Sequence, residues 1–202
     1  MRIKGHPGKA SSVWKSQRKP EAVLTRTNGG AMQEIIDSQA KGLAVGVAGV
    51  RKAKELIDLA QAALDLQKNG KTKHRDLEDF TSWADVIAYV EDDASDTEIA
   101  ALVRVVDTYG APAVVKAMEN TVPLDQADQT VSTVHVAKGL EWWHVRIADD
   151  FREPGIDKQT GEQEPLEAEE ARLAYVAVTR AQRHLDASGL DWAKTMTGGV
   201  AV

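Results

Sequence analysis

The sequence predicts an α/β protein built on a parallel sheet, with a small all-helical insertion. Two observations carry this. Short β-branched runs alternate with amphipathic helical stretches in both the first third and the last third of the chain. Between them, residues 71–127 show helical periodicity and no strand-like run.

Each element has its own signal. Glu21–Arg26 is a short apolar run with a polar end, and Asn28-Gly29-Gly30 breaks it. Ala31–Lys41 places Met32, Ile35 and Ile36 on one helical face, and Gly42–Val47 is a second short strand. From Gly49 to Lys68 runs a long amphipathic helix, with Leu56, Ile57, Ala60, Ala63 and Leu64 at helical spacing and Asn69-Gly70 as its stop. In the insertion, helices are predicted over Phe80–Val90, Asp96–Tyr109 and Pro112–Asn120, the last with proline in its first turn. Thr130–Val136 is strongly β-branched and reads as a strand, and Lys138-Gly139 as a turn. His144–Ala148 follows as a strand, Glu153–Glu164 as a polar loop and Glu167–Gln182 as a helix. His184–Ala187 closes with a strand and Leu190–Met196 with a short helix.

Composition narrows the chemistry. There is no cysteine among 202 residues, which excludes disulfides, zinc ribbons and thiol nucleophiles. The five histidines (His6, His74, His135, His144 and His184) are too scattered to suggest a metal cluster. No apolar run is long enough to span a bilayer, and a basic polar stretch rather than a secretory core follows Met1, so a cytoplasmic protein is expected. Lys plus Arg number 25 against 31 Asp plus Glu, a formal net charge of −6. The charge is unevenly spread. Arg2, Lys4, Lys9, Lys15, Arg18 and Lys19 form a basic strip, whereas residues 91–98 and 157–170 are acidic and read as solvated faces. A basic strip on an acidic protein can still make a few phosphate contacts.

Phosphate-binding motifs fail within this chain. Gly5-His-Pro-Gly8-Lys9-Ala10 has the wrong spacing, and Ala10 stands where a hydroxyl should hold magnesium. Gly70-Lys71-Thr72 has the right tail, but the first glycine would fall at Asp65, inside a helix. Glu91-Asp92-Asp93 follows a helix rather than a strand and reads as a helix exit.

Three other segments are specific. Val23-Leu-Thr-Arg26-Thr-Asn28 resembles motif IV of the superfamily 1 helicases of the UvrD/Rep/PcrA type. Thr133-Val-His135-Val-Ala-Lys138-Gly139-Leu140-Glu141-Trp142 resembles their motif V. Glu169-Glu170-Ala-Arg172-Leu-Ala-Tyr175-Val-Ala-Val-Thr179-Arg180-Ala181 resembles motif VI. Val45-Gly46 and the helix after Gly49 are similar to the family's Gly-rich turn and helix. Order and placement agree, and the short insertion more closely resembles the F-box DNA helicase branch.

The resemblance covers nearly the whole chain but only the second half of such a helicase. It implies a second RecA-like domain over 1–70 and 128–202, interrupted by a helical insertion over 71–127. It further implies that ATP is shared with a first motor domain, borne by another polypeptide, that holds the phosphates and Mg²⁺. The second domain would supply arginines as γ-phosphate charge spreads in the transition state; guanidinium suits this because it stays charged and makes directed bonds. On this basis Arg26 and Arg180 are the expected fingers, converging on one open face without tight carboxylate partners, and Glu141 the ribose contact on the same rim. A solvated turn residue is an equal reading for Glu141, and a helix-end cation is the alternative for Arg180.

Thr133, His135 and Lys138 are expected to face single-stranded DNA. His135 is equally compatible with a core histidine. Trp142 and Trp143 replace the family's usual Phe; packing is the expectation for both, with base stacking as the alternative for one. Tyr175 is expected to pack on the sheet, and Arg172 to pair with Glu169 or Glu170. Overall, the sequence points to the C-terminal motor domain of an ATP-dependent DNA helicase. The competing readings are a non-catalytic module that binds single-stranded DNA or a protein partner, and a structural relic.

Overall fold

A computed structural model of the chain describes residues 12–13, 19–49, 51–92, 97–157 and 159–194. Most of the basic strip (all but Lys19), the Gly5–Ala10 decoy, Asp93, Asp96 and the end of the last predicted helix lie outside the described residues. The described strands are β1 (Ser12–Val13), β2 (Ala22–Thr25), β3 (Val45–Val47), β4 (Gln129–Thr133), β5 (Trp142–Ile147) and β6 (Ala181–Asp186). The helices are α1 (Asn28–Ala40), α2 (Lys52–Asn69), α3 (Trp83–Asp92), α4 (Thr97–Tyr109), α5 (Ala111–Glu119) and α6 (Ala168–Val178). The strand order is β1-β6-β5-β2-β4-β3, and the described pairings are parallel. This is the expected α/β parallel-sheet class. Among the described residues no helix is long and apolar enough to cross a membrane.

The chain divides into two compact units. One comprises the described residues up to Arg26 and from Ser132 onward; the other is Thr27–Val131. In the second unit, Asn28-Gly29-Gly30 follows the end of the β2 run, as expected, and also forms the start of α1, three residues before the expected Ala31. Thr27 caps the helix, its hydroxyl accepting from Gly30 N–H at 2.9 Å. Gly29 is required there because a Cβ would lie 2.3 Å from the Ala101 carbonyl carbon of α4. Helix α2 stops at Gly70, whose φ of 65° is left-handed and whose N–H reaches Leu66 O at 3.0 Å. Leu56, Leu66, Val86, Leu102 and Met118 bring α2 to α5 into one buried core. The stretch expected to hold helices alone also carries one strand-like bridge, Gly46 to Val122.

In the first unit, four strands lie in the order β1-β6-β5-β2. Ala22, Leu24, Val145, Ile147 and Leu185 interleave beneath Leu173, Ala177 and Val178 of α6, forming a continuous apolar core. Strands β5 and β6 both begin earlier than their apolar runs suggest, because parallel pairing starts at Trp142 and Ala181. Backbone pairing, not side-chain hydrophobicity, sets that boundary.

Candidate functional site

All six candidate side chains lie in the first unit. The Thr133–Glu141 segment is a tight turn and not the continued strand the β-branching suggests. Val134 N–H donates to Thr25 O at 3.0 Å, and the N–H groups of Val136 and Ala137 both turn back to Thr133 O at 3.1 and 3.0 Å. Gly139, with φ of 90°, completes the reversal. The turn directs Val134 and Ala137 into the core and leaves His135 and Lys138 exposed. His135 is therefore not a core histidine. Thr133 is buried, so the structure brings His135 and Lys138, but not the Thr133 side chain, onto the exposed surface.

Arg26 departs from expectation. It follows the end of β2, where its N–H donates to both carboxylate oxygens of Asp150 at 2.8 and 2.9 Å. Its guanidinium grips Glu170 Oε1, at 2.8 Å from Nε and 2.7 Å from Nη2, with only 15% and 10% of the two side chains exposed. Glu170 is in the first turn of α6, and its Oε2 is buried with no hydrogen-bond partner. Glu170 is thus taken by Arg26; among the described residues Arg172 pairs with neither Glu169 nor Glu170.

Arg180 sits at the other end of the same helix. Its Nε donates to Val176 O at 3.1 Å, Nη1 to Leu140 O at 3.2 Å and Nη2 to Thr179 Oγ1 at 3.0 Å. The bond to Val176 is the helix-end capping contact that orphan carbonyls invite. All of these acceptors are neutral, and among the described residues the Arg180 guanidinium forms no ion pair with a carboxylate. That environment suits an anionic phosphate.

The two arginines do not converge. Leu24 of β2 pairs with Ile147 at the end of β5, whereas Ala181 of β6 pairs with Trp142 at its start. Arg26 and Arg180 therefore lie at opposite ends of β5, roughly 17 Å of strand apart at 3.3 Å per residue. The expected pair of fingers on one face is corrected to a single candidate, Arg180.

Glu141 is exposed and accepts a hydrogen bond from Gln182 Nε2 at 3.1 Å, one residue after the Leu140 carbonyl that Arg180 holds. Trp142 packs against the core, but Trp143 is 49% exposed. The Arg183 guanidinium lies 4.1 Å from its ring centroid, a cation–π contact. The Trp143 N–H is anchored by the Glu21 carboxylate at 2.9 Å. Between Trp142 and His144 the partner strand runs from Ala181 to His184, three steps against two. This bulge leaves both Gln182 and Arg183 facing outward. Sequence reasoning missed Gln182 and Arg183, because no pattern of residue types announces a bulge. Tyr175, expected on the sheet, is 50% exposed, since Leu173, Ala177 and Val178 occupy the buried face of α6.

Beneath this rim lies a histidine pair. The rings of His144 and His184 meet edge to face at 5.8 Å, and Ser12 Oγ lies 2.7 Å from His184 Nδ1. His144 is buried and its Nε2 has no partner. Burial first, then the neighbouring His184, holds His144 below the ordinary imidazole value; the Lys19 backbone, Asp186 and Glu21 oppose this.

A parallel α/β domain carrying these three segments in this order belongs with helicase motor domains. Residues 16–189 match the family of the UvrD-like helicase C-terminal domain, and the chain belongs to that family. It is 28% identical over 181 residues to F-box DNA helicase protein 1 of Schizosaccharomyces pombe, covering 82% of this chain and 20% of that protein. It is 35% identical over 100 residues to F-box DNA helicase 1 of Gallus gallus, covering 45% of this chain and 10% of that protein. The chain thus spans about a fifth or less of the length of these relatives.

Proposed function

We propose that this chain is the second motor domain of an ATP-dependent DNA helicase, with residues 71–127 as its helical insertion, acting in the cytoplasm. In this reading it completes an ATP site whose phosphates and Mg²⁺ are held by a first motor domain, since no P-loop occurs in this sequence. Arg180 meets the γ-phosphate and Glu141 the ribose. His135 and Lys138 contact single-stranded DNA, and Thr133 supports their turn through its backbone carbonyl. The observation that carries the reading is the Arg180 guanidinium, held among the described residues by neutral acceptors, one of them the carbonyl of Leu140 next to exposed Glu141.

The test is DNA-stimulated ATP turnover with a P-loop-bearing first motor domain of the same family supplied in trans. Turnover that requires both parts and falls about 10³-fold in Arg180→Ala supports the proposal. Turnover that is indifferent to Arg180 sinks it. One observation favours the second reading, a non-catalytic module that binds single-stranded DNA or a protein partner: Arg26 is engaged by Glu170 and does not face the rim that Arg180 shares. In that case DNA binding survives in the Arg180 variant and no combination of domains hydrolyses ATP.

A further inference from the structure

We infer that Trp143 is a stacking platform for the base of the bound nucleotide, contributed by this domain. The inference rests on the proposed roles of Arg180 and Glu141 and extends them to base recognition.

Contacts beside the starts of β5 and β6 follow one another in order. Arg180 reaches Leu140 O, Gln182 reaches Glu141, and Arg183 lies over Trp143. Contacts to a guanidinium, a carboxylate and an indole therefore follow one another from Leu140 to Trp143, a backbone span of at most roughly 10 Å at 3.3 to 3.6 Å per residue. A nucleoside triphosphate presents its parts in that sequence: phosphate for the cation, ribose hydroxyls for the carboxylate, and a flat base for the ring.

The two tryptophans differ in burial. Trp142 packs against the core, whereas Trp143 is left exposed at the start of β5, where Arg183 reaches its ring while the neighbouring Gln182 reaches Glu141. An exposed indole costs hydrophobic free energy, and the fold fixes this one from two directions. Glu21 holds its backbone, and the β6 bulge presents Arg183 to its ring. Arg183 is itself exposed, so it can remain stacked while the base takes the uncovered part of the ring or swing aside toward phosphate. Every base has a π-face, so the platform predicts affinity for purine nucleotides without strong discrimination between adenine and guanine.

The test is saturation-transfer NMR on the 202-residue chain with ATP, with inorganic tripolyphosphate as competitor. The expected result is transfer to the adenine H2 and H8 protons, with affinity falling about ten-fold in Trp143→Leu and retained in Trp143→Phe. Tripolyphosphate should bind wild type and Trp143→Leu alike. ATP affinity unchanged in Trp143→Leu overturns the platform, as does a wild-type chain giving no adenine transfer at millimolar ATP. Arg180→Ala separates the two ideas. Loss of ATP in Arg180→Ala with Trp143→Leu unchanged removes the platform and keeps the finger. Loss in Trp143→Leu with Arg180→Ala unchanged keeps the platform and removes the finger.

Discussion

Arg26 and Glu170, 144 positions apart in sequence, form a buried ion pair that ties the end of β2 to the first turn of α6. The same helix carries Arg180 just beyond its last turn. Ten residues at 1.5 Å each put roughly 15 Å between Glu170 and Arg180. The pair therefore ties down the end of the helix remote from Arg180 and occupies the Arg26 guanidinium.

Breaking this pair from one side should destabilise the domain strongly. Arg26→Ala leaves Glu170, already holding one unpartnered oxygen, as a buried uncompensated charge. The expected loss is about 3 kcal/mol in urea denaturation. The double variant Arg26→Met with Glu170→Met should recover much of it, because both charges leave the core together. A loss below about 1 kcal/mol for Arg26→Ala would show that solvent already screens the pair.

The chain alone should not hydrolyse ATP. The groups that position the β- and γ-phosphates and the magnesium ion supply most of the catalysis in phosphoryl transfer, and no P-loop is present to do so. A purified chain turning over ATP under DNA stimulation, with that activity abolished by Arg180→Ala, contradicts this.

Binding to single-stranded DNA should be weak and salt-sensitive, roughly 10⁻⁴ to 10⁻⁶ M, as for non-specific phosphate contacts. Lys138 is exposed beside His135, so Lys138→Ala should reduce the slope of log affinity against log salt by about 1. Fluorescence anisotropy across a salt series measures it. A flat salt response, or an unchanged slope in Lys138→Ala, would remove Lys138 from the interface.

Stability should fall as pH drops below the ordinary histidine range. His144 is held low by burial and by His184, so the unfolded chain takes up the proton first as pH falls through about 6.5. Between that value and the lower folded one the unfolded state binds more protons, and falling pH favours it. His144→Phe should flatten the decline in melting temperature between pH 7.5 and 5.5 relative to wild type. An identical slope in both proteins would mean that His144 does not control it.

The sequence by itself determined the fold class, the order of elements and the family. Periodicity fixed the helices: Leu56, Ala60 and Ala63 mark the buried face of α2 however the rest of the chain is arranged, and Gly70 ends it locally. Motif resemblance singled out Arg180 and Glu141, and parallel pairing from Trp142 and Ala181 sets them just before adjoining strand starts. Only the tertiary structure decided which arginine remains available. Residue type is identical at Arg26 and Arg180, and what separates them is a carboxylate 144 residues from Arg26 and the parallel register that sends them to opposite ends of β5. Tyr175 departs from its expected packing, and His135 takes the exposed one of its two readings, for a related reason. β-branching and apolarity describe what a residue can bury, but the hydrogen bonds from Val136 and Ala137 to Thr133 and the packing face of α6 decide which side chains are turned outward. Long-range pairing and register are properties of the closed sheet, and no local window of sequence contains them.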